Sequence, residues 1–300
     1  MSLLPLVLLF GAMPTTALTA PSAAVHDTIP GTAWTTADWE IFQASIRHAV
    51  AARIDTLPVG AAIALVGLRF VGAPYTPGTL EQPGPEQLVV NLREFDCVTF
   101  VEHVLALVHV ARHDGVALLD DAPRARVRYE AVLRELRYRG GRIDGYASRL
   151  HYFSQWLAEH ASRGRLRVLG DEIGADTDAR PVQFMSTHPA AYPKLAGRPV
   201  LEEIRRGERR IGPRRVVPKA EVRRVEPLLR DGDLLAMTSA VEGLDVAHVG
   251  FAVLVGGRPH LLNAPLVGRS VELSPLPLME HLAARTRQTG IIVARMDEGW

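Results

Sequence analysis

The residue best suited to covalent chemistry is Cys97, the only cysteine in the 300-residue chain. Asp96, directly before it, is a good N-cap residue, and apolar residues recur behind it at helical spacing. Cys97 is therefore predicted to lie in the first turn of a mostly buried helix, where free N–H groups and the helix dipole would favour a reactive thiolate. Because unpaired cysteine is often buried, a purely structural role in the core competes with this interpretation.

Two polar residues far downstream could complete a catalytic site with Cys97. His248 and Asn263 lie on two runs that are predicted to form neighbouring strands around a Gly-Gly turn. One cysteine with a distant histidine and asparagine is the pattern of thiol hydrolases, whose catalytic residues meet only in the fold. Cys97 would attack a carbonyl, His248 would transfer the proton, and Asn263 would orient the imidazole. His260 is the alternative third residue if a bulge beside the turn changes the strand face on which it lies.

Other chemistries have weaker support in the sequence. The 11 histidines include no His-Glu-x-x-His motif and no pair at ligand spacing, so neither a metal nor a cofactor is predicted. Ser186 and His188 would share one face of an extended segment without an orienting acid, which disfavours a serine hydrolase. Asp231 and Asp233 lack the spacing of a calcium-binding loop and are predicted to form a turn before a strand.

Several runs of the sequence resemble one family of enzymes. A helix-borne cysteine, a strand histidine and a polar residue on the next strand follow in the order found in NlpC-type papain-like cell-wall hydrolases. More specifically, the sequence is similar to the N-acetylmuramoyl-L-alanine amidase-like branch, over roughly residues 60–295. Residues 72–75 and 230–235 resemble framing motifs of the superfamily, and the similarity to the branch is carried by residues 77–81, 96–102, 148–153 and 184–189. Where such enzymes often have a His-Ala-Ser run, this chain has Asn263-Ala264-Pro265.

The resemblance implies an activity and a set of residues near the substrate. It implies a cysteine amidase that cleaves the N-acetylmuramoyl–L-alanine amide of peptidoglycan or muropeptides. A stem-peptide endopeptidase and a catalytically silent cell-wall-binding protein of the same fold are the alternatives. Glu102 could either bind a substrate amine or close a polar network in the core. The full set of candidate substrate-binding residues is Tyr75, Thr79, Glu102, Ser148, Arg149, His151, Tyr152, Ser186 and His188.

Charge and hydropathy limit the partners and the compartment. A net charge of +1 gives no global field for nucleic acid, and none is predicted as a partner. Residues 205–224 hold nine Arg or Lys against two Glu and are predicted to form an exposed connection. Residues 1–24 resemble a signal peptide, so the protein is predicted to be exported, to the periplasm or beyond, in a bacterium. The apolar run within residues 1–24 is too short for a confident membrane span, and no stable membrane span is predicted in the mature form.

Helical patterns precede strand patterns along the chain, which favours an α+β fold. The resemblance implies a papain-like architecture, in which N-terminal helices, including the cysteine-bearing helix, pack on a C-terminal antiparallel sheet. Residues 25–300 are predicted to form a single amidase domain with an inserted or elaborated segment around residues 120–225. Within that segment, a helix is predicted at residues 146–161, and strands are predicted at residues 166–174 and 181–185.

Overall fold

A computed structural model of the chain describes residues 33–266 and 270–300. The predicted signal peptide at residues 1–24 lies outside the described residues. The helices are α1 (Thr36–Ala51), α2 (Val59–Leu68), α3 (Cys97–His113), α4 (Ala122–Arg137), α5 (Phe153–Ser162), α6 (Phe184–Thr187), α7 (Arg198–Arg209), α8 (Val222–Val225) and α9 (Leu278–Ala283). The strands are β1 (Leu166–Val168), β2 (Asp176–Asp178), β3 (Arg214–Pro218), β4 (Leu234–Ser239), β5 (Val246–Val255), β6 (Arg258–Asn263), β7 (Glu272–Pro277) and β8 (Gln288–Met296).

The strands form one antiparallel sheet, which confirms the predicted α+β class. Its order is β2-β3-β8-β4-β5-β6-β7, and β1 pairs with β8 beside this path. The helix α3 packs against β5 on one side and against α1, α2 and α4 on the others. On the opposite face of the sheet, α9 and α8 cover a second, smaller apolar cluster. The sheet is therefore buried on both faces around β4, β5 and β8.

The start of α3 is fixed by local hydrogen bonds that the sequence encodes. The carboxylate of Asp96 accepts from the backbone N–H of Thr99 at 2.8 Å, and the Thr99 hydroxyl oxygen accepts from the backbone N–H of Asp96 at 2.9 Å. This reciprocal pair is a capping box, and it makes Cys97 the first residue of the helix. Farther along, the Phe100 ring packs edge-on against Phe251 of β5, with centroids 6.0 Å apart, and so anchors the helix on the sheet.

Three predictions about the middle of the chain are wrong. The helix predicted from residue 146 begins only at Phe153, because Asp245 of a distant loop supplies the cap, accepting from the Ser154 backbone N–H at 2.9 Å. Residues 184–187 form a short helix where a strand was predicted. The basic segment is not an exposed connection, since it contains part of α7 and all of β3. Val217 of β3 is buried, and buried Arg214 pairs with Asp178 at 2.9 Å.

Among the described residues, none of the helices has both the length and the apolar character needed to cross a membrane.

Candidate active site

His248 and Asn263 lie on neighbouring strands and are joined by a hydrogen bond. β5 and β6 pair in continuous antiparallel register, with Gly250 opposite Asn263. His248 precedes Gly250 by two residues, so its side chain lies on the same face as Asn263, diagonally across the strand pair. Nε2 of His248 is 2.7 Å from Oδ1 of Asn263. The fold thus brings together the two strand residues that the sequence pattern selected.

Gly250 makes room for this diagonal contact. A Cβ atom at position 250 would lie 2.5 Å from the carbonyl oxygen of Leu262 and 2.9 Å from Cβ of Asn263. Because Cβ atoms do not approach backbone oxygens so closely, a larger residue would separate β5 from β6 or displace Asn263. The close approach of the two strands therefore requires glycine at this position.

The other hydrogen bonds of Asn263 decide which atom of its amide faces His248. Asn263 is fully buried, and its Nδ2 donates to the carbonyl oxygens of Leu261 at 3.3 Å and Glu272 at 3.4 Å. Oδ1 is then the atom that faces the imidazole, and since it can only accept, Nε2 of His248 carries the hydrogen. The lone pair of neutral His248 is consequently on Nδ1, for which residues 33–266 and 270–300 provide no hydrogen-bond partner.

The environment of His248 favours its neutral form. Burial lowers the pKa of the imidazole below its ordinary value, and the positive charge of Arg285 acts in the same direction. The hydrogen bond with Asn263 and the negative charge of Asp96 act against this shift without reversing it. At neutral pH, Nδ1 of His248 is therefore available to accept a proton.

Cys97 is half-buried at the first position of α3. Burial and the Asp96 carboxylate raise the pKa of its thiol to about 12, although the backbone N–H groups of Val249, Cys97 and Val98 favour the thiolate. This shift is opposite to the one expected for a resting thiolate. The residue that caps the helix places a negative charge beside the sulfur, and this charge and desolvation together outweigh the helix N-terminus. A protonated Cys97 needs a base before it can attack.

The sulfur of Cys97 approaches the strand that carries His248. The backbone N–H of Val249, the residue after His248 on β5, favours the thiolate form of this sulfur. Within the described part of the chain, no hydrogen bond joins the sulfur to the His248 ring. Hydrogen bonds between catalytic groups are often long in unliganded sites and shorten when substrate binds.

His260 does not share the position of Asn263. It is opposite Val253 in a β5–β6 register that has no bulge, so it lies on the other face of β6. Its Nδ1 is 2.8 Å from the carbonyl oxygen of Ser274, on β7. The bulge that would have turned it toward His248 is absent from this strand pair, and the contact with His248 is made by Asn263.

The described residues contain no group of three or more His, Cys, Asp or Glu side chains that could hold a metal ion.

One known family matches most of the chain. Residues 65–291 match the AmiA-like family, described as N-acetylmuramoyl-L-alanine amidase-like. The chain belongs to the N-acetylmuramoyl-L-alanine amidase-like family. The match includes Cys97, His248 and Asn263, together with the whole of the sheet from β1 to β7.

Two solved structures are similar to this chain over most of its length. An N-acetylmuramoyl-L-alanine amidase from Bacteroides uniformis is 32% identical, covers 80% of this chain and 99% of its own, and superposes with a TM-score of 0.72. A Bacteroides fragilis protein with the provisional name of a xylanase is 34% identical, covers 77% of this chain and 99% of its own, and has a TM-score of 0.69. Comparison with curated proteins gives no match.

A more distant structure shares the fold alone. Protein LPG0564 from Legionella pneumophila, of family DUF1460, is 17% identical and covers 87% of this chain and 96% of its own, with a TM-score of 0.62.

In this amidase-like chain, Tyr75 lies beside Cys97. It forms an isolated parallel bridge with Phe95, just before the helix α3. Burial raises the pKa of its hydroxyl, and the charges of an ionised Cys97 and of Asp96 act in the same direction, so the phenol stays protonated and can donate a hydrogen bond. Thr79 is buried in the loop that follows Tyr75.

The carboxylate of Glu102 is buried in the core of the amidase-like fold and is paired with Arg137. Its side chain is 2% exposed, and its Oε2 accepts from Nε of Arg137 at 2.6 Å. Arg137 also donates to the carbonyl oxygen of Val89 at 2.7 Å. Of the two roles predicted for Glu102, the structure supports the polar network, and the assignment to a substrate amine is wrong because the carboxylate is enclosed.

Arg149 ties the loop after Tyr75 to the turn before α5. It is buried, donates to the carbonyl oxygen of Leu80 at 3.3 Å, and forms ion pairs with Glu81 and, at 3.5 Å, with Glu86.

The side chains of Ser148 and His151, on either side of Arg149, make local contacts. The Ser148 hydroxyl donates to the carbonyl oxygen of Gly145 at 2.7 Å. Nε2 of His151 likewise lies 2.8 Å from the carbonyl oxygen of Tyr146. Contact of these residues with substrate stays a prediction.

The runs at residues 148–153 and 184–189 both contact one buried carboxylate, that of Glu208. The Tyr152 hydroxyl donates to Oε1 of Glu208 at 2.7 Å, and the backbone N–H of Ser186 donates to the same oxygen at 3.0 Å. The Ser186 hydroxyl donates to the carbonyl oxygen of Gln183 at 3.3 Å, and Nδ1 of His188 is 2.9 Å from the carbonyl oxygen of Phe184. Ser186, in α6, and His188, directly after it, each bond to a backbone carbonyl of the same short segment, and in the described part of the chain no hydrogen bond joins the two side chains.

Asp245 is a residue that the sequence reasoning missed. It is buried one position before β5, and its carboxylate accepts from both the backbone N–H, at 2.9 Å, and the hydroxyl of Ser154. Burial raises the pKa of this carboxyl group. Asp245 thereby connects the strand of His248 to the helix α5 and to the run of polar residues before it. An acidic residue directly before a strand was the only sequence signal.

Proposed function

We propose that this chain is a cysteine amidase that cleaves the N-acetylmuramoyl–L-alanine amide of peptidoglycan or muropeptides. The observation that carries the proposal is the His248–Asn263 hydrogen bond, at 2.7 Å, on the strand that Cys97 approaches. It leaves Nδ1 of a neutral imidazole as a base in a member of an amidase-like family. The order of these residues also supports a papain-like, NlpC-type site.

Acyl transfer begins with a protonated thiol. Nδ1 of His248 removes the Cys97 proton as the sulfur attacks the lactyl carbonyl carbon, which gives a tetrahedral oxyanion and an imidazolium. The imidazolium protonates the departing alanine nitrogen, and the C–N bond breaks to leave a thioester. His248 then takes a proton from water, whose oxygen attacks the thioester carbon. The C–S bond breaks, the lactyl carboxylate is released, and the imidazolium returns its proton to the Cys97 sulfur. Asn263 accepts from Nε2–H throughout and keeps the ring in one orientation.

The oxyanion needs donors beside the sulfur. The backbone N–H of Cys97 is at the free N-terminus of α3. Tyr75 pairs with Phe95, just before α3, and its protonated hydroxyl can donate a hydrogen bond. We assign these two groups to oxyanion binding. Removal of one such donor typically slows an acyl transfer about 100-fold to 1,000-fold.

Mass spectrometry of the products from one defined muropeptide tests the proposal. The amidase releases a sugar with a free lactyl carboxylate and a peptide that begins with L-alanine. An endopeptidase would create a new end within the stem peptide and leave the lactyl amide intact. No product, with retained binding to wall material, would identify a silent binding protein. EDTA is expected to leave the activity unchanged, because the steps above use only protein side chains and water.

The substrate class is consistent with export, as the apolar start of the sequence predicts. We therefore propose that the mature enzyme acts in the periplasm or outside the cell. Fractionation of the native protein, with N-terminal sequencing of the mature form, tests this: a cytoplasmic protein that retains residues 1–24 would contradict it.

A further inference from the structure

His248 follows a β-bulge in the strand that carries it. On β4, Met237 is opposite His248 and the next residue, Thr238, is opposite Val246, so Ala247 is an extra residue on β5 between these two pairs. A bulge leaves its extra residue out of the ladder, bends the strand and redirects nearby side chains. The regular ladder between β4 and β5 therefore begins at His248 and does not fix the backbone that leads into it.

On the other side of β5, His248 has no paired strand residue among residues 33–266 and 270–300. The register between β5 and β6 begins at Gly250, opposite Asn263, and runs from there toward the turn. The backbone at His248 is thus paired with β4 alone, directly beside the bulge. The orientation of His248 therefore depends on how the start of β5 is held.

Asp245, directly before β5, joins the start of this strand to two other elements. Its side chain is buried, and its carboxylate accepts from the backbone N–H of Ser154 in α5, at 2.9 Å, and from the Ser154 hydroxyl. Its backbone carbonyl oxygen accepts from the backbone N–H of Ser239, the last residue of β4, at 3.2 Å. Both bonds from Ser154 go to Oδ2 of Asp245, so one oxygen atom holds the start of the strand on the helix.

The loop before Asp245 is fixed by a second helix. The carbonyl oxygen of Gly243 accepts from the backbone N–H groups of Gln183 at 2.9 Å and of Phe184, the first residue of α6, at 3.0 Å. Gly243 has a φ of +76°, and a Cβ atom there would lie 3.2 Å from the Phe184 nitrogen, so this close contact favours glycine. Together, α5 and α6 fix the chain from Gly243 to Asp245, just before His248.

We propose that Asp245 is a positioning residue, which sets the orientation of the His248 imidazole through its hydrogen bonds to Ser154, an inference that rests on the proposed amidase function. Two residues, one of them the bulged residue, separate Asp245 from His248, so a shift at Asp245 reaches the ring through a short stretch of backbone. A displaced ring would lose its 2.7 Å contact with Asn263 and the alignment of Nδ1 for proton transfer. We assign Asp245 no contact with substrate, because it is enclosed between β4, β5 and α5.

Replacement of the carboxylate tests the assignment. Asp245→Ala is expected to lower kcat about 10-fold to 100-fold, with KM within about twofold, because a misplaced catalytic group slows the chemical step without weakening substrate binding. Asp245→Asn should restore kcat to within about threefold of the wild type, because a single amide oxygen can accept both hydrogen bonds from Ser154. An Asp245→Asn enzyme as slow as Asp245→Ala would contradict this role.

Glu226→Ala is the matched control. Glu226 is also buried, and its carboxylate also accepts from a backbone N–H, that of Met279, at 2.9 Å. It pairs with Arg258 at the turn between β5 and β6, the end of β5 that is farthest from His248. Loss of this carboxylate should lower stability and leave kcat within about twofold. Urea denaturation of each variant shows that the kinetics are measured on folded protein.

A double-mutant cycle separates positioning from a general loss of stability. Asp245 and Asn263 are proposed to act on the same ring, so Asp245→Ala should cost less than about threefold in kcat when residue 263 is already alanine. Losses that multiply in the double variant would show that Asp245 does not act through His248, and the proposal would be overturned with the amidase function intact. Failure of the wild-type enzyme to cleave the lactyl amide of a muropeptide would instead count against the proposed function itself.

Ser154→Ala takes the place of Asp245→Ala if that variant does not fold. It removes the hydroxyl bond to Asp245 and keeps the backbone bond, so kcat is expected to fall about threefold to tenfold. In the Asn263→Ala background the loss should be less than about twofold. An unchanged kcat, or the same loss in both backgrounds, would overturn the proposal.

Discussion

His248 donates from Nε2 to Oδ1 of Asn263 across the β5–β6 strand pair, at 2.7 Å. This contact fixes the tautomer of the imidazole. Nδ2 of Asn263 already donates to two carbonyl oxygens, so only Oδ1 is left to face the ring, and it can only accept. The base of the site is thereby defined as Nδ1. The strand pairing thus sets the proton position on which the proposed chemistry depends.

Asn263→Ala should slow turnover about 100-fold, because the imidazole loses the group that fixes its ring and tautomer. It should also lower the free energy of unfolding by about 1–3 kcal/mol, since buried partners on His248 and two backbone carbonyls lose their hydrogen bonds. His260→Ala, on the opposite strand face, should leave kcat within about twofold. Steady-state kinetics and urea denaturation measure both effects. The reverse order of rate losses would make His260 the third residue.

Cys97→Ser should reduce kcat by about three orders of magnitude or more, because a serine hydroxyl is a far poorer nucleophile toward this base. The substitution is close in size at a half-buried position, so the thermal unfolding midpoint should change little. Muropeptide binding, measured by calorimetry, should be retained. Normal turnover in a correctly folded Cys97→Ser protein would remove the mechanism.

Asp96→Asn should lower the pKa of Cys97, because the carboxylate beside the sulfur disfavours the thiolate. Asparagine is also a good N-cap residue, so the helix α3 should be preserved. Labelling with iodoacetamide across pH should be slow for the wild-type thiol at pH values near neutrality and faster in the variant at every pH. Asp114→Asn, at the other end of α3, is the matched control. Fast wild-type labelling at pH 6 to 7 would instead indicate a resting thiolate.

Gly250→Ala should damage both stability and catalysis. The new methyl group would meet the Leu262 carbonyl oxygen at 2.5 Å, so we expect a loss of about 1–3 kcal/mol in unfolding free energy and a weakened His248–Asn263 contact. Gly212→Ala is the control, since a Cβ there has no neighbour within 4 Å. Denaturation and kcat of both variants test this. A fully active and stable Gly250→Ala protein would show that the strands can separate without cost.

The elements whose patterns depend on local sequence were predictable. The Asp96 cap and the apolar spacing behind it located α3, and a β-rich run with a Gly-Gly turn located β5 and β6. His248 and Asn263 could be paired from sequence because strands joined by a short turn are neighbours. The predictions of these elements agree with the structure because each cap or turn lies within a few residues of the helix or strand that it defines.

Features that depend on distant residues were not predictable. The true start of α5 is set by Asp245, more than 80 positions away, and the burial of β3 is set by its pairing with β8. The pKa of Cys97 depends on how deeply the sulfur is enclosed, which the capping pattern does not report.

The cap that Asp245 provides for α5 has a consequence for motion. Without that carboxylate, the backbone N–H of Ser154 in the first turn of the helix has no acceptor. The helix start and the entry to β5 should therefore open and close as one cooperative unit. Amide hydrogens at the beginning of α5 should therefore exchange at the same rate as those flanking His248. Any ligand that rigidifies the strand would slow exchange in a helix it never touches.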